Sequence, residues 1–188
     1  MQNAPQVVGI GGSTGATSTT TRLLRDCLDR LATLGAETVL FGPDMLAALP
    51  LFAVHSDARS AESERLAEAV RRADAVVIAT PGYHGGISGL VKNAIDHLEL
   101  LREDERPYLD GRAVGAIVTA AGWQASGTTL VAVRSAIHAL RGWPTPFAVT
   151  VNTVEQQLDD PRVEGAIEVL AGQVMRFCEW QAAARLTR

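Results

Sequence analysis

Short apolar runs alternate with longer stretches in which apolar residues recur every three or four positions. The runs at 76–79 and 114–118 are continuous, which is typical of parallel strands that are covered on both faces. The periodic stretches are typical of amphipathic helices with one buried face. The pattern predicts strands near residues 6–11, 36–41, 74–80, 112–121 and 146–151. It predicts helices near residues 18–34, 61–72, 88–101, 126–141 and 162–186.

Five strands that alternate with helices predict an α/β fold with a doubly wound, five-stranded parallel sheet. The simplest strand order is 2-1-3-4-5 with helices on both faces, and we expect a single domain over residues 1–188. Right-handed crossovers then place the loops after strands 1, 3 and 4 along one edge of the sheet. The longest irregular segment, 42–60, contains Pro43, Pro50 and Asp57 and is either a lid or an ordinary surface connection.

Composition and charge argue against several classes of function. The formal net charge of −4 and the lack of a basic block argue against a nucleic-acid partner. The apolar segments are shorter than the ~18–20 residues that span a bilayer, and the N-terminus does not resemble a secretory signal. Cys27 and Cys178 lie in predicted helices without a Cys-x-x-Cys motif, so we expect two buried thiols. These features predict a cytoplasmic protein with neither a membrane nor a nucleic-acid partner.

A glycine- and hydroxyl-rich turn, residues 11–21, joins the first predicted strand to the first predicted helix. The start of a helix presents unpaired N–H groups that bind phosphate, and glycine lets the backbone approach the anion. The turn lacks the lysine of a Walker loop, and Thr14 stands where the dinucleotide fingerprint needs its third glycine. The turn suits the terminal phosphate of a mononucleotide such as FMN. The alternative is an ordinary turn with a Ser or Thr N-cap.

Two further loops lie at the same predicted edge. The loop after strand 3, residues 80–90, is rich in glycine, and its Ser88 is a candidate N-cap for the next helix. Its backbone groups can bind the polar edge of a flavin while Tyr83 or Pro81 packs near the ring. The loop after strand 4, residues 120–124, can close over the other end of the ring. Trp123 in that loop either stacks on the ring, gates access to it or packs structurally.

Motifs in the first two loops form a set that occurs together in one protein family. The residues are Gly12-Ser13, Ser18, Thr20, Thr80-Pro81-x-Tyr83 and Ser88-Gly89-x-x-Lys92-Asn93-x-x-Asp96. The set resembles the NADPH-dependent FMN reductase family over residues 6–152, and the resemblance implies a flavodoxin-like fold that binds FMN and NADPH or NADH. It implies that Ser13, Ser18, Thr19 and Thr20 hold the FMN phosphate, with Gly15 in the same loop. It further implies ring contacts from Pro81, Gly82, Tyr83, His84 and Gly85, and from Ala121 and Gly122 in the third loop.

Two positions depart from the family pattern. Family members often have an arginine where this chain has Gly15, and Arg22, one turn along the helix, either replaces it or is a solvated surface arginine. The third loop commonly reads Thr-Gly-Gly and here reads Ala120-Ala121-Gly122. The phosphate loop also overlaps that of true flavodoxins, so only the loop at 80–97 favours a reductase over an electron carrier.

The resemblance implies an NAD(P)H-dependent FMN oxidoreductase that transfers a hydride from the nicotinamide to flavin N5. The electrons then leave as released FMNH2 for a flavin-dependent monooxygenase, or reduce a small-molecule acceptor such as a quinone, an azo compound, a metal oxyanion or O2. Because a flavin carries this chemistry itself, we expect no catalytic side chain and no metal. The alternatives are an FMN electron carrier without a nicotinamide site and a flavin-free domain on the same fold.

The resemblance also implies a homodimer or a homotetramer. The predicted helix at 88–101 packs against a neighbouring subunit in that family. Lys92 and Asp96 are spaced as i, i+4 on this helix, and they form either a solvated pair or part of such an interface.

Overall fold

The computed structural model describes residues 4–54 and 60–186 of the chain. Its strands are β1 (Gln6–Gly11), β2 (Glu37–Phe41), β3 (Ala75–Tyr83), β4 (Gly86–Ile87), β5 (Ala113–Ala120), β6 (Trp143–Pro144) and β7 (Val149–Asn152). Its α-helices are α1 (Thr19–Thr33), α2 (Pro43–Ala47), α3 (Ala61–Arg72), α4 (Gly89–Asp96), α5 (Trp123–Ala139) and α6 (Pro161–Leu186), and a 3₁₀ helix covers His97–Leu101. Every predicted strand and helix has a counterpart among these elements.

The sheet has the predicted topology. Its parallel strands follow the order β2-β1-β3-β5-β6, and β7 continues the β6 position along β5. When β6 and β7 are taken as one interrupted strand, this is the order 2-1-3-4-5. Val8 of β1 lies between Val39 of β2 and Val76 of β3. Because parallel strands end at the same edge, the turns that follow β1, β3 and β5 meet there.

Helices cover both faces of the sheet, as predicted. Val8 and Val76 belong to the core cluster that contains residues of α3, α4 and α5. Val7 and Val77 belong to the opposite cluster, with residues of α1 and α6. Neighbouring side chains in a strand point to opposite faces of the sheet, so a strand with helices packed on both faces buries every residue. This explains the continuous apolar runs in the sequence.

Two further sequence predictions concern the thiols and the membrane. Cys27 and Cys178 are buried thiols in the α1–α6 layer, as predicted. Burial raises the pKa of the Cys27 thiol to about 12, so this thiol is protonated at neutral pH. Within the described ranges, no helix combines the length and the apolar character that crossing a membrane requires.

The last strand of the sheet differs from the prediction. The sequence predicts one strand at 146–151, but the structure has β6 and β7 with residues 145–148 between them. Pro146 has no N–H to donate to β5, so the ladder is interrupted. Side chains hold the interrupted segment instead: Thr145 Oγ1 donates to Phe147 O at 2.7 Å, and Arg134 Nη2 donates to Pro146 O at 2.8 Å.

β3 is longer than predicted and ends in a β-hairpin. The sequence predicts a strand at 74–80 followed by a loop, whereas β3 continues to Tyr83 and pairs antiparallel with β4. His84 and Gly85 occupy the two turn positions, with φ of 53° and 81°. A positive φ at both positions is typical of a type I′ turn, whose twist matches that of the flanking strands. The second predicted loop is therefore an ordered two-stranded projection.

The segment 42–60 includes the short helix α2 and residues that are fastened to α4. Asn93 Oδ1 accepts a hydrogen bond from Phe52 N at 2.8 Å, and Asn93 Nδ2 donates to Pro50 O at 3.0 Å. The predicted helix at 88–101 is α4 followed by the 3₁₀ helix, which begins at His97. His97 Nε2 lies 2.9 Å from Pro50 O. For residues 50–52 these contacts favour the surface connection over the lid. Residues 55–59, including Asp57, lie outside the described residues.

Candidate functional site

A cleft of about 910 Å³ opens at the carboxyl edge of the sheet, between the β1–α1 turn, the β3–β4 hairpin and the β5–α5 turn. Ten of the twelve residues predicted from sequence line it: Ser13, Thr19, Thr20, Pro81, Gly82, Tyr83, His84, Gly85, Ala121 and Gly122. The three predicted loops therefore contribute to one site. Gly15 and Ser18 do not line this cleft. Together with Ser13, they line an adjoining cavity of about 750 Å³.

The β1–α1 turn lies directly on β3 because its first two residues are glycines. Gly11 and Gly12 have φ of 147° and 111°, which L side chains rarely adopt. A Cβ on Gly11 would lie 1.9 Å from Ala79 O, and Gly12 N donates to the same oxygen at 3.1 Å. These contacts bring the backbone of the turn to the carboxyl end of β3.

Ser18 is the N-cap of α1. Its Oγ accepts hydrogen bonds from Thr21 N at 3.1 Å, from Ser13 Oγ at 2.8 Å and from Thr21 Oγ1 at 2.9 Å. For this side chain the structure therefore supports the alternative given in the sequence analysis, an ordinary Ser N-cap. The hydroxyl of Ser18 holds the turn together, and Thr21 assists because its Oγ1 also accepts from Ser13 N at 3.2 Å.

The first turn of α1 keeps unpaired donors at the cleft. Among the described residues, the N–H groups of Thr19 and Thr20 have no hydrogen-bond acceptor, as is usual at a helix N-terminus. The hydroxyl of Thr20 is buried and lies 2.6 Å from Thr119 Oγ1 of β5. The neutral donors at this end of the cleft therefore include the two N–H groups, the hydroxyl of Thr19 and that of Ser13, which already donates to Ser18.

Arg22 is the candidate replacement for the arginine that family members often have at the position of Gly15, and it lies in the adjoining cavity that Gly15 and Ser18 also line. Its side chain is 60% exposed, and its Nε lies 3.9 Å from Asp26 Oδ2. It lines the adjoining cavity, not the cleft, together with Asp26, Asp29 and Asp44. This favours the solvated arginine of the two alternatives.

The β3–β4 hairpin forms the second wall, and hydroxyl groups fix its base. Thr80 Oγ1 accepts from Ser88 N at 3.0 Å and donates to Pro81 O at 3.0 Å. Ser88 Oγ accepts from Val91 N at 3.3 Å, so Ser88 is the N-cap of α4, as predicted. Tyr83 stands at the rim with 59% of its surface exposed, where its ring is free to pack on a planar ligand.

Helix α5 packs against the hairpin at Gly82. A Cβ at this position would lie 2.8 Å from Thr129 Oγ1 and 3.2 Å from Ala120 Cβ. Glycine is therefore needed here for packing. The hydroxyl of Thr129 is buried and has no hydrogen-bond partner among the described residues. Gly82 thus fixes the distance between the second and third walls of the cleft.

The third wall is the β5–α5 turn. Gly122 is the N-cap residue of α5 and has extended backbone, and Ala121 before it is exposed. Trp123 does not line the cleft. Its Nε1 donates to Glu155 Oε2 at 2.8 Å, which fastens the turn to the residues that follow β7. A structural role for Trp123 is therefore favoured over stacking on the flavin ring or gating access to it.

Four lining residues lie outside the loops that the sequence analysis named: Thr119, Ala125, Thr128 and Thr153. Ala120 and Gln124 also line the cleft and lie in the predicted third loop, residues 120–124. Thr119 and Thr153 lie at or just after the carboxyl ends of β5 and β7. The rule that ligands bind at the carboxyl ends of parallel strands could have identified both. Ala125 and Thr128 required the start of α5, which the sequence analysis places at 126 and the structure at Trp123.

The cleft contains little acid–base chemistry. Among the described residues that line it, only Tyr83 and His84 carry titratable side chains, and both are exposed. No three or more His, Cys, Asp or Glu side chains of the described residues come together in a way that could hold a metal ion. The site can bind and orient a ligand, but its side chains do not form an acid–base pair.

Lys92 and Asp96 lie outside the cleft. Lys92 Nζ donates to Asp96 Oδ1 at 2.6 Å and to Oδ2 at 2.8 Å. Their side chains are 51% and 37% exposed, so in the single chain this is a solvated pair. A role in a subunit interface stays a prediction.

Comparison with known families gives a match that covers most of the chain. The family model described as NADPH-dependent FMN reductase matches residues 5–156 of the chain. The chain belongs to this family. The matched region contains β1 through β7, and therefore all three walls of the cleft. The resemblance inferred from the motifs is confirmed, and so is the flavodoxin-like fold.

Similarity to individual members of the NADPH-dependent FMN reductase family and related flavoproteins is low. An FMN-dependent NADPH-azoreductase of Staphylococcus haemolyticus is 28% identical over 118 residues, which are 58% of this chain and 59% of that protein. An iron-sulfur flavoprotein of Archaeoglobus fulgidus is 31% identical over 90 residues, 48% of this chain and 44% of that protein. The chain thus matches less than two thirds of the length of these curated relatives.

Solved structures share the fold over almost the whole chain. An oxidoreductase from Corynebacterium diphtheriae superposes with a TM-score of 0.72 at 17% identity, covering 94% of this chain and 98% of that one. The apo form of an NADH:FMN oxidoreductase gives 0.69 at 20% identity, with 91% and 90% covered. An NAD(P)H:(acceptor) oxidoreductase from Paracoccus denitrificans gives 0.64 at 23% identity, with 94% and 97% covered. At these identities the likeness shows the fold alone.

Proposed function

We propose that this protein is an NAD(P)H-dependent FMN reductase that binds FMN in the cleft at the carboxyl edge of the sheet. The observation that carries the proposal is the joining of three loops, the β1–α1 turn, the β3–β4 hairpin and the β5–α5 turn, around one cleft in a chain of the NADPH-dependent FMN reductase family. The volume of about 910 Å³ lies in the range of small-molecule and cofactor sites.

The residues at the two ends of the cleft suit the two ends of FMN. At one end, the unpaired N–H groups of Thr19 and Thr20 and the positive end of the α1 dipole favour a phosphate. At the other end, the hairpin offers backbone polar groups and the exposed ring of Tyr83.

Bound FMN would supply the redox chemistry, accepting a hydride from the nicotinamide and passing electrons to an acceptor. The tasks left to the chain are binding and orientation. Pro81, which is buried, and the paired strands of the hairpin give the ring site a rigid base. Tyr83 and His84 stand at the open side, where a second planar molecule has to enter. This distribution explains how a site without an acid–base pair can belong to an enzyme.

The decisive experiment measures nicotinamide oxidation by the purified protein. NADPH or NADH is supplied with and without added FMN, and the absorbance of the reduced nicotinamide is followed. We expect turnover that requires FMN and a yellow complex when FMN is present in excess. A protein that binds FMN but oxidises neither nicotinamide would be an electron carrier. A protein that binds no FMN would contradict both functions.

The acceptor is part of the proposal. We propose that electrons pass to a small-molecule acceptor, such as a quinone or an azo compound, or leave as FMNH2 for a flavin-dependent monooxygenase. The azoreductases among the relatives support the small-molecule route. We also propose a homodimer or a homotetramer, which sedimentation of the purified protein tests directly. A monomer at micromolar concentration would contradict the proposed homodimer or homotetramer but not the proposed FMN reductase activity.

A further inference from the structure

Two hydroxyl groups from distant parts of the chain meet inside the cleft. Thr20 Oγ1 of α1 and Thr119 Oγ1 of β5 lie 2.6 Å apart, although the residues are 99 positions apart in sequence. Both side chains line the cleft, yet they are only 2% and 4% exposed. Each hydroxyl is therefore almost wholly removed from solvent and depends on partners inside the protein.

The pair has hydrogen-bonding capacity that the protein does not use. Two hydroxyls carry two hydrogens, and the contact between Thr20 and Thr119 uses one of them. Among the described residues, neither oxygen has another hydrogen-bond partner. One hydrogen is left over whichever residue is the donor. A buried hydroxyl hydrogen without an acceptor is costly, and this one belongs to side chains that line a ligand cleft.

The position of the pair identifies the part of the ligand that it faces. Thr20 follows Thr19 at the phosphate end of the cleft, and Thr119 precedes Ala120 and Ala121 at the ring end. The pair thus joins the two groups of lining residues. In FMN, the ribityl chain joins the phosphate to the ring, and its hydroxyl oxygens accept hydrogen bonds.

We propose that the Thr20–Thr119 hydroxyl pair binds the ribityl chain of the flavin by donating its spare hydrogen to a ribityl oxygen. The inference rests on the proposed function and extends it to a residue, Thr119, that sequence reasoning did not select. It also changes the role expected of Thr20, which would bind the ribityl chain of FMN and not the phosphate. Selection of FMN then depends on three separate contacts, at the phosphate, the ribityl chain and the ring.

The test removes both hydroxyls together. In the Thr20→Val/Thr119→Val variant, two apolar groups of similar shape replace the pair, so no buried hydroxyl loses its partner and the fold is expected to persist. A single valine would leave the other hydroxyl free to donate, and each single variant is expected to lose less than the double. The Thr20→Ser/Thr119→Ser variant keeps both hydroxyls. Thr150→Val, on β7 and outside the cleft lining, is the matched control.

Binding is measured by flavin fluorescence for FMN, for riboflavin, which lacks the phosphate, and for lumiflavin, which lacks both the phosphate and the ribityl chain. The double valine variant is expected to bind FMN and riboflavin about tenfold more weakly, a typical effect of losing one buried hydrogen bond, with lumiflavin unchanged. The double serine variant restores both affinities. Circular dichroism and thermal unfolding confirm that each variant is folded.

Each other outcome overturns the inference in a distinguishable way. Weaker binding of FMN alone would indicate that the pair contacts the phosphate and not the ribityl chain. Weaker binding of all three flavins would mean that the pair only shapes the ring site. Unchanged binding of all three would mean that it does not contact the ligand. If the unaltered protein binds none of the flavins, the proposed function fails and the inference fails with it.

Discussion

At the scale of single residues, the hydroxyl groups of the β1–α1 turn have separate tasks although they are neighbours in sequence. Ser18 caps α1, and Thr21 supports the turn by accepting from Ser13 N. Thr20 pairs with Thr119 across the cleft. Thr19 alone of these four keeps its hydroxyl free of any partner among the described residues. A run of Ser and Thr in sequence therefore does not show which of its hydroxyl groups are free to bind a ligand.

Replacing Ser18 with aspartate separates capping from phosphate binding. Aspartate caps a helix as well as serine does, and a negative charge at a helix N-terminus is favourable, so the Ser18→Asp variant should fold normally. The same charge lies beside the turn proposed to hold a dianionic phosphate. We expect FMN affinity to fall by at least about tenfold, with a much smaller change for riboflavin, because like charges repel at short range.

The control for this variant is Ser18→Asn, which keeps the cap without the charge. Titrations of FMN and riboflavin into each variant, followed by flavin fluorescence, give the comparison. Equal FMN affinity in the aspartate and asparagine variants would show that the phosphate binds elsewhere.

A cation at position 15 should strengthen the phosphate site. A Cβ on Gly15 would have only Ser13 Oγ near it, at 3.9 Å, and the position lacks the positive φ that penalises side chains. Arginine adds charge-assisted hydrogen bonds to a phosphate. We expect Gly15→Arg to raise FMN affinity by about tenfold at low salt, and added salt to remove much of the gain through screening.

Gly15→Gln is the matched control for the arginine variant, since it adds a long polar side chain without charge. Isothermal titration of FMN at low and high salt distinguishes the two variants. Equal gains from arginine and glutamine, or a gain that salt does not reduce, would contradict an electrostatic origin.

At the scale of elements, hydrophobic periodicity predicted β1, α1, β5 and α5 and the main part of β3, because it reports which residues face the core. It failed where other forces decide. Periodicity does not reveal that Pro146 removes a ladder donor and divides the last strand, or that His84 adopts a positive φ in a hairpin turn. The pairing of Thr20 with Thr119 was also out of reach, because it joins elements that are distant in sequence.

The junction of β1 with α1 should tolerate no side chain at Gly11. A Cβ there would lie 1.9 Å from Ala79 O and 2.7 Å from Ala79 C, both backbone atoms that cannot move without disturbing β3. We expect Gly11→Ala to lower the free energy of unfolding by about 2–4 kcal/mol, the range for strained positive-φ and overpacked positions. Urea denaturation followed by circular dichroism measures the change.

Gly127→Ala provides the opposite case on helix α5. Apart from its chain neighbours and the backbone of α5 itself, nothing lies within 4 Å of a Cβ at Gly127, and alanine is the stronger helix former. This variant should be as stable as the unaltered protein or more stable by up to about 1 kcal/mol. A Gly11→Ala protein of undiminished stability would contradict the close contact between the turn and β3.

At the scale of the whole molecule, the two edges of the sheet have different roles. At the edge opposite the cleft, Arg112 is fully buried and donates to the carbonyls of Arg71, Ala73, Tyr108 and Asp110, at 2.9–3.2 Å. Burial lowers its pKa to about 10, so it remains cationic at neutral pH. Its charge lies at the C-terminal end of α3, where the helix dipole favours a cation. Internal hydrogen bonds stabilise this edge, whereas the carboxyl edge opens into the cleft.

The two thiols report on unfolding of the whole molecule. Cys27 is 0% and Cys178 5% exposed, both in the layer that α1 and α6 form on one face of the sheet. In the folded protein burial raises the pKa of Cys27 to about 12, so that side chain is a protonated thiol at pH 8 and a poor nucleophile until unfolding exposes it. We expect a thiol-specific disulfide reagent to label neither cysteine in the native protein within minutes, and both in denaturant. Ser135→Cys, at an exposed position of α5, supplies a rapidly labelled control.

FMN should slow the labelling of both cysteines further. A ligand that binds only the folded chain lowers the unfolded fraction by the factor 1 + [FMN]/Kd, so both labelling rates should fall by this factor if exposure requires global unfolding. The measurement follows each cysteine by mass spectrometry over a series of FMN concentrations. Slowing of one cysteine alone would show that α1 or α6 opens locally, because only global unfolding exposes both thiols and dismantles the cleft in a single step.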